Sequence, residues 1–138
     1  MRFEDIAEGA ELPELVFPVT ASAIAVGAIA TNDYETVHHD KAAAEATGVP
    51  NIFMNILTTN GLVQRFVGAW AGPEARVRKI RIKLGAPNFA GDTMRINGTV
   101  SRVDSATGEV DVTVSGRNAI GEHVGATVTL HFPERNAA

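Results

Sequence analysis

Residues 51–72 read NIFMNILTTNGLVQRFVGAWAG, and the spacing of their apolar positions decides the architecture. Apolar side chains at 56, 57, 62, 63, 66, 67 and 70 recur at helical spacing, and Arg65 is the one charge among them. A helix with so little polar surface must be buried on most of its sides. Gly61, Gly68, Ala69 and Ala71 leave room for other backbone to approach, and Gly72-Pro73 ends the helix.

Downstream the period changes from helical to alternating. KIRIKL (79–84) sets Ile80, Ile82 and Leu84 on one face and Lys79, Arg81 and Lys83 on the other. TMRINGTV (93–100), EVDVTVSG (109–116) and ATVTLHF (126–132) repeat the scheme, with turn signals at PNFAGD (87–92), DSATGE (104–109) and RNAIGEH (117–123). The pattern predicts antiparallel strands that each carry one apolar face. The one partner apolar enough to cover that face is the helix of residues 53–71, so the sheet is expected to wrap it. The fold class is α+β, in a single domain over 1–138.

Upstream of the helix the signals are shorter. Pro13 and Pro18 flank LVF, which reads as an irregular segment with one short strand. Thr20 is placed to cap a helix over 21–30, the polar stretch 31–40 breaks it, and Lys41–Thr47 has high helix propensity before Gly48 and Pro50. The tail ERNAA is expected to fray.

Composition narrows the function. The 138 residues include 45% hydrophobic and 20% charged residues, within the globular range. A net charge of −4 argues against nucleic acid as partner, because phosphate binding needs a basic face. With no cysteine there is no thiolate nucleophile, disulfide or cysteine-based zinc site. The longest apolar run, ASAIAVGAIA (21–30), is about half of what a membrane span requires, and the acidic start MRFEDIAEG lacks a signal core. A soluble, cytoplasmic protein is expected.

The chemistry concentrates in TNDYETVHHDKAA (31–43), which holds two of the four histidines. Asp33 and His38 suit proton transfer, since histidine titrates near neutrality and a nearby carboxylate can orient it or act beside it. An Asp and a His at this spacing are equally what a solvated loop carries, so the residues alone leave both readings open. A metal site on His38, His39 and Asp40 is disfavoured, because adjacent residues point in different directions and ligands are usually spaced by two or more. No metal is expected.

NDYETVHHD resembles the hydratase motif of the MaoC-like enoyl-CoA hydratases, a hot-dog-fold family with the usual form G-D-x-N-P-[LIV]-H-x-D. FEDIAEGAELPELVFPVT resembles the family's opening, and KIRIKLGAPNFAGDTMRINGTV its strand–turn–strand. VHHDKAAAEATGVPNIFMNILTTNGLVQRFVGAWAGP and GRNAIGEHVGATVTL are similar to the small subunit of actinobacterial steroid side-chain hydratases. The resemblance implies hydration of a 2-enoyl-CoA thioester without a cofactor, with Asp33 and His38 as the proton-transfer pair and Asp40 and Glu35 in support. It implies an oxyanion donor at the backbone N–H of Asn55. It also implies a larger MaoC-like partner, with a thiolase-like aldolase as a further one. The CoA phosphates need cations, for which Arg78, Lys79 and Arg81 are candidates within the basic row Arg76–Lys83; such a row also serves simply to blunt a strand edge. Trp70, Phe66 and Phe53 are read first as core. The chain departs from the motif at Asn32, Glu35 and Thr36, and at Met54-Asn55 in place of His-Gly. Asn32 for Gly keeps a turn that tolerates positive φ. Two other readings are a non-catalytic half of a heterodimer, and a dehydratase of carrier-protein thioesters.

Overall fold

The computed structural model describes residues 1–133, so the expectation for the ERNAA tail lies outside the described residues. The chain runs β1 (Glu11–Val19), α1 (Ala21–Ala30), α2 (Lys41–Ala46), α3 (Ile56–Ala71), β2 (Arg76–Leu84), β3 (Asp92–Asp104), β4 (Glu109–Arg117) and β5 (Glu122–His131). All five strands form one antiparallel sheet in the order β1-β3-β4-β5-β2.

The alternating rows point as expected. Met94, Ile96 and Val100 of β3, Val110, Val112 and Val114 of β4, and Val124, Ala126, Val128 and Leu130 of β5 are buried. They share one core cluster with Leu62, Val63, Phe66 and Val67 of α3. Gly98 falls in the same inward row, and a Cβ there would stand 2.9 Å from the Phe66 ring. The missing side chain is what lets the ring settle against the sheet. Trp70 is half-buried at the margin of the core.

Four expectations change. α3 is buried along one stripe rather than on most of its sides: Leu62, Val63, Phe66 and Val67 face the sheet, whereas Ile56, Leu57, Gln64 and Arg65 are exposed. The segment around LVF is a full strand of nine residues. Its prolines are tolerated because β1 is an edge strand with β3 as its one neighbour, and Pro13 sits in the register shift between Leu12 and Leu15. The helix begins at Ile56 rather than at Phe53, because residues 52–54 are drawn into extended pairing with 88–90: Met54 N–H donates to Asn88 O at 3.0 Å and Ala90 N–H to Ile52 O at 3.1 Å. Phe53 therefore precedes α3, bridged to Phe89. Finally, PNFAGD is no hairpin turn. β2 pairs with β5 and β3 with β4, so residues 85–91 cross over between opposite parts of the sheet and close one end of it.

The contact between Phe66 and Gly98 is testable in unfolding experiments followed by Trp70 fluorescence. Phe66→Ala should cost about 3–5 kcal/mol, and Gly98→Ala about 1–3 kcal/mol through overpacking. The double variant should be less destabilised than the sum, because the new methyl occupies space that the lost ring vacated.

Candidate active site

Asp33 is placed by the way α1 ends. Asn32 N–H donates to Ile29 O at 3.1 Å and Asp33 N–H to Ala28 O at 2.9 Å, the paired bonds of a Schellman termination. That termination needs a left-handed residue after the cap, and Asn32 supplies it with φ +55°. The expectation drawn from Asn in place of Gly therefore holds. The chain then turns through a short 3-10 segment, Thr36–His38, which carries His38 back towards Asp33.

His38 is buried and its ring is fixed through Nδ1. Nδ1 lies 2.7 Å from Phe53 O. A carbonyl only accepts, so this bond assigns the ring proton to Nδ1. Nε2 then faces Asp33 Oδ2 at 3.3 Å. Phe53 also packs edge-on against the imidazole, centroids 5.1 Å apart. The ladder that moved the start of α3 thus has a local consequence: it aims the Phe53 carbonyl at His38.

The Asp33 carboxylate has further partners. Oδ2 accepts from Asn55 Nδ2 at 2.9 Å and Oδ1 from the Glu35 N–H at 3.3 Å. Its pKa is lowered, first by the Asn55 hydrogen bond and then by the Glu35 N–H and the His38 charge, against a desolvation that opposes them. Asn55 is the N-cap of α3, its Oδ1 accepting from Thr58 N–H at 2.9 Å. The first N–H groups of a helix have no partner inside it, and they bring a partial positive charge to this end of the cavity.

Asp33, His38, Phe53, Asn55, Ala86 and His123 line a cavity of about 270 Å³, closed on one side by the 85–87 crossover. A roomier recess of about 600 Å³ lies between the N-terminus and the 105–108 turn, but it holds neither Asp33 nor His38. Chemistry, not volume, assigns the site.

The other sequence candidates fall elsewhere. Asp40 caps α2, accepting from Ala43 N–H at 3.1 Å, and does not line the cavity. Glu35 serves the pair through its backbone: besides its bond to Asp33, its carbonyl accepts from His38 N–H at 3.1 Å, while its side chain is exposed. Arg78, Lys79 and Arg81 share a different recess with Arg102, Glu109 and Asp111 on the sheet. His39 is exposed, and among the described residues no three metal-ligating side chains cluster.

His123 is the site residue that sequence reasoning missed. The β4–β5 register passes from Gly116↔Val124 to Arg117↔Glu122, leaving His123 as the extra residue of a bulge. Bulges re-aim side chains. Here the ring is buried, with Nδ1 donating to Ala86 O at 2.6 Å and Nε2 accepting from Thr59 Oγ1 at 2.8 Å. These bonds tie the crossover to the first turn of α3. Strand alternation gives no sign of this, because a bulge is defined by the partner strand.

Burial pushes the His123 pKa down from 6.5, against a smaller opposing effect of the Ala86 carbonyl. The unfolded chain therefore takes up a proton at higher pH than the folded one. The stabilisation from neutral His123 is complete above about pH 6.5 and is lost as pH falls towards the lowered folded value. His123→Gln, which cannot charge, should show a flatter decline of unfolding free energy with acidification than the parent. Denaturant titrations across that range measure it.

The chain is similar to known proteins over most of its length. A family model described as "MaoC like domain" matches residues 6–121. The 3-oxo-4,17-pregnadiene-20-carboxyl-CoA hydratase beta subunit of Mycobacterium tuberculosis is 48% identical over 122 residues, covering 88% of this chain and 93% of that protein. A chain in the crystal structure of the ChsH1–ChsH2 complex from the same organism superposes with a TM-score of 0.89 at 46% identity, covering 92% of this chain and 98% of that one. The unliganded R-hydratase PhaJ1 from Pseudomonas aeruginosa shares the fold, with a TM-score of 0.88 at 17% identity over 97% of this chain and 86% of that one. The sheet curled around α3 is thus a hot-dog fold, and the chain belongs to the MaoC-like domain family.

Proposed function

We propose that the chain is the catalytic small subunit of a heteromeric enoyl-CoA hydratase. In this reading it adds water across the 2,3 double bond of a steroid side-chain CoA thioester. The observation that carries the reading is the 3.3 Å separation of Asp33 Oδ2 and His38 Nε2 at the N-terminal end of α3. With its proton on Nδ1, His38 presents a lone pair to a carboxylate, and two facing acceptors at that distance call for a donor that reaches both. A water seated beside the pair in the cavity can give one O–H to each acceptor and keep its own lone pairs free for the substrate.

Attack by that water on C3 forms the C–O bond as the double-bond pair moves towards the thioester oxygen. One proton leaves the water for the Asp33/His38 pair, and the pair returns one to C2, so its own proton count is restored. Negative charge on the thioester oxygen is met by the Asn55 N–H and the helix terminus, donors that are in place before the reaction begins. Hydration balances without oxidant, reductant or group donor, so no cofactor enters the proposal; CoA arrives as part of the substrate.

The relative whose name specifies a steroid-type acyl group supports the substrate class, and its designation as a beta subunit supports a partner. So does the surface around the site. A cavity of about 270 Å³ is smaller than most ligand pockets, and Ile56, Leu57 and Leu84 stand exposed beside it or within its wall. β2 has a neighbour on one side only. The partner we propose is a larger MaoC-like subunit completing this wall, with a thiolase-like aldolase as a further partner and the cytoplasm as the location.

Asp33→Asn and His38→Gln should each lower kcat on a steroid enoyl-CoA by about 10²–10⁴-fold while the complex still assembles, as followed by loss of enoyl-thioester absorbance. Near-parental rates in both would remove the reading. Purified alone, the chain should be inactive on the steroid thioester, and co-expression with the MaoC-like partner should restore turnover; full activity as a monomer would refute the heteromeric part.

A further inference from the structure

We infer that the Asn55 side chain is a positioning residue for Asp33, fixing the carboxylate in the orientation in which Oδ2 meets His38 Nε2. The inference rests on the reading of Asp33 and His38 as the proton-transfer pair. A helix cap uses one acceptor, and Ser, Thr or Asp would provide it as well as Asn. Asn55 does more than that. It is 4% exposed, and all of its hydrogen-bonding capacity as a donor is spent. Oδ1 takes the Thr58 N–H, and the two Nδ2 hydrogens go to Thr31 Oγ1 and Asp33 Oδ2, each at 2.9 Å.

The amide cannot be reversed. Thr31 Oγ1 gives its own hydrogen to Gly27 O at 2.8 Å, so towards Asn55 it can only accept. A flipped amide would also set its NH₂ against the Thr58 N–H. The donor edge is therefore directed at Asp33 by the end of α1 and the start of α3 together. With the Glu35 N–H on Oδ1, the carboxylate is held at both oxygens. The glycine of the related motif offers a backbone N–H at this position and nothing else, so here the donors to Asp33 and Thr31 come from the asparagine side chain. The lowered pKa of Asp33 has this hydrogen bond as its foremost cause. The titratable groups facing Asp33 are His38, from the 36–38 turn, and His123, from β5 across the cavity; Glu35 adjoins it with its carboxylate exposed.

Asn55→Asp separates positioning from capping. It keeps an oxygen for the Thr58 N–H and keeps the backbone N–H, but it removes both donors and sets a carboxylate against Asp33. In the assembled complex, the acid limb of kcat/KM should move to higher pH. At neutral pH kcat should fall by about tenfold or more, the usual weight of a hydrogen bond to a charged group, with KM little changed. Asn55→Gly should move the limb in the same direction, and it decides the matter if the Asp variant does not assemble. Asp33→Asn is measured alongside. If it is inactive while the Asn55 variants give the parental pH profile and kcat, Asn55 is a cap alone and the positioning role is overturned. If Asp33→Asn is itself fully active, the hydratase reading falls and this inference falls with it.

Discussion

Everything in this molecule follows from the need to bury α3. Its Leu62, Val63, Phe66 and Val67 form one buried apolar stripe, while Ile56, Leu57, Gln64 and Arg65 on its other sides stand exposed. The curled sheet covers that stripe, and Gly98 beside Phe66 shows how closely the two layers meet. Curling has one geometric cost. A sheet can cover the sides of a helix but not its end, where unpaired N–H groups need partners. In this chain that end is dressed by the 85–91 crossover, the 31–38 loop and the Asn55 cap. The polar site lies there because it is where the core stops.

The same logic explains what the sequence disclosed. Inward rows such as Met94, Ile96 and Val100 could be read from alternation, because each strand carries its own record of which face is buried. The helix could be read from its period, whereas Asp33 and His38 stood out from a solvated loop only through the motif that they resemble. Pairing partners are a different matter. Nothing within PNFAGD distinguishes a hairpin turn from a crossover, since Pro, Asn and Gly favour both. The start of α3 depended on 52–54 finding 88–90, a contact made far along the chain. His123 depended on β4 supplying one residue where β5 supplies two. Local chemistry was legible, and long-range counting was not.

Two histidines line one cavity with contrasting consequences. Each is anchored through Nδ1 to a backbone carbonyl, His38 to Phe53 and His123 to Ala86. Each therefore presents Nε2 as an acceptor. For His123 that acceptor is met by the Thr59 hydroxyl, so every polar atom of the ring is satisfied within the protein and burial favours the neutral form. For His38 the group opposite is a carboxylate, which offers no hydrogen. The first ring is complete as it stands and braces the crossover against α3. The second is complete only when its Nε2 takes up a proton or accepts one from a water in the cavity beside it, which is what fits it for chemistry rather than support.

The departures from the hydratase motif can then be understood together. In the motif, glycine permits a left-handed turn and proline stiffens the loop by fixing φ; this chain has Asn32 and Thr36 in their places. What restrains the loop here is hydrogen bonding. Asn32 accepts the left-handed geometry, and α1 closes through the Asn32 and Asp33 N–H groups. The Thr36 carbonyl takes the N–H groups of His39 and Asp40. Asn55 ties Thr31 and Asp33 to the start of α3. Covalent stiffness acts whatever surrounds it, whereas a hydrogen-bonded loop is only as well placed as its partners. Asp33 is thus coupled to the N-terminus of α3, so the helix that organises the core also sets the geometry of the Asp33/His38 pair.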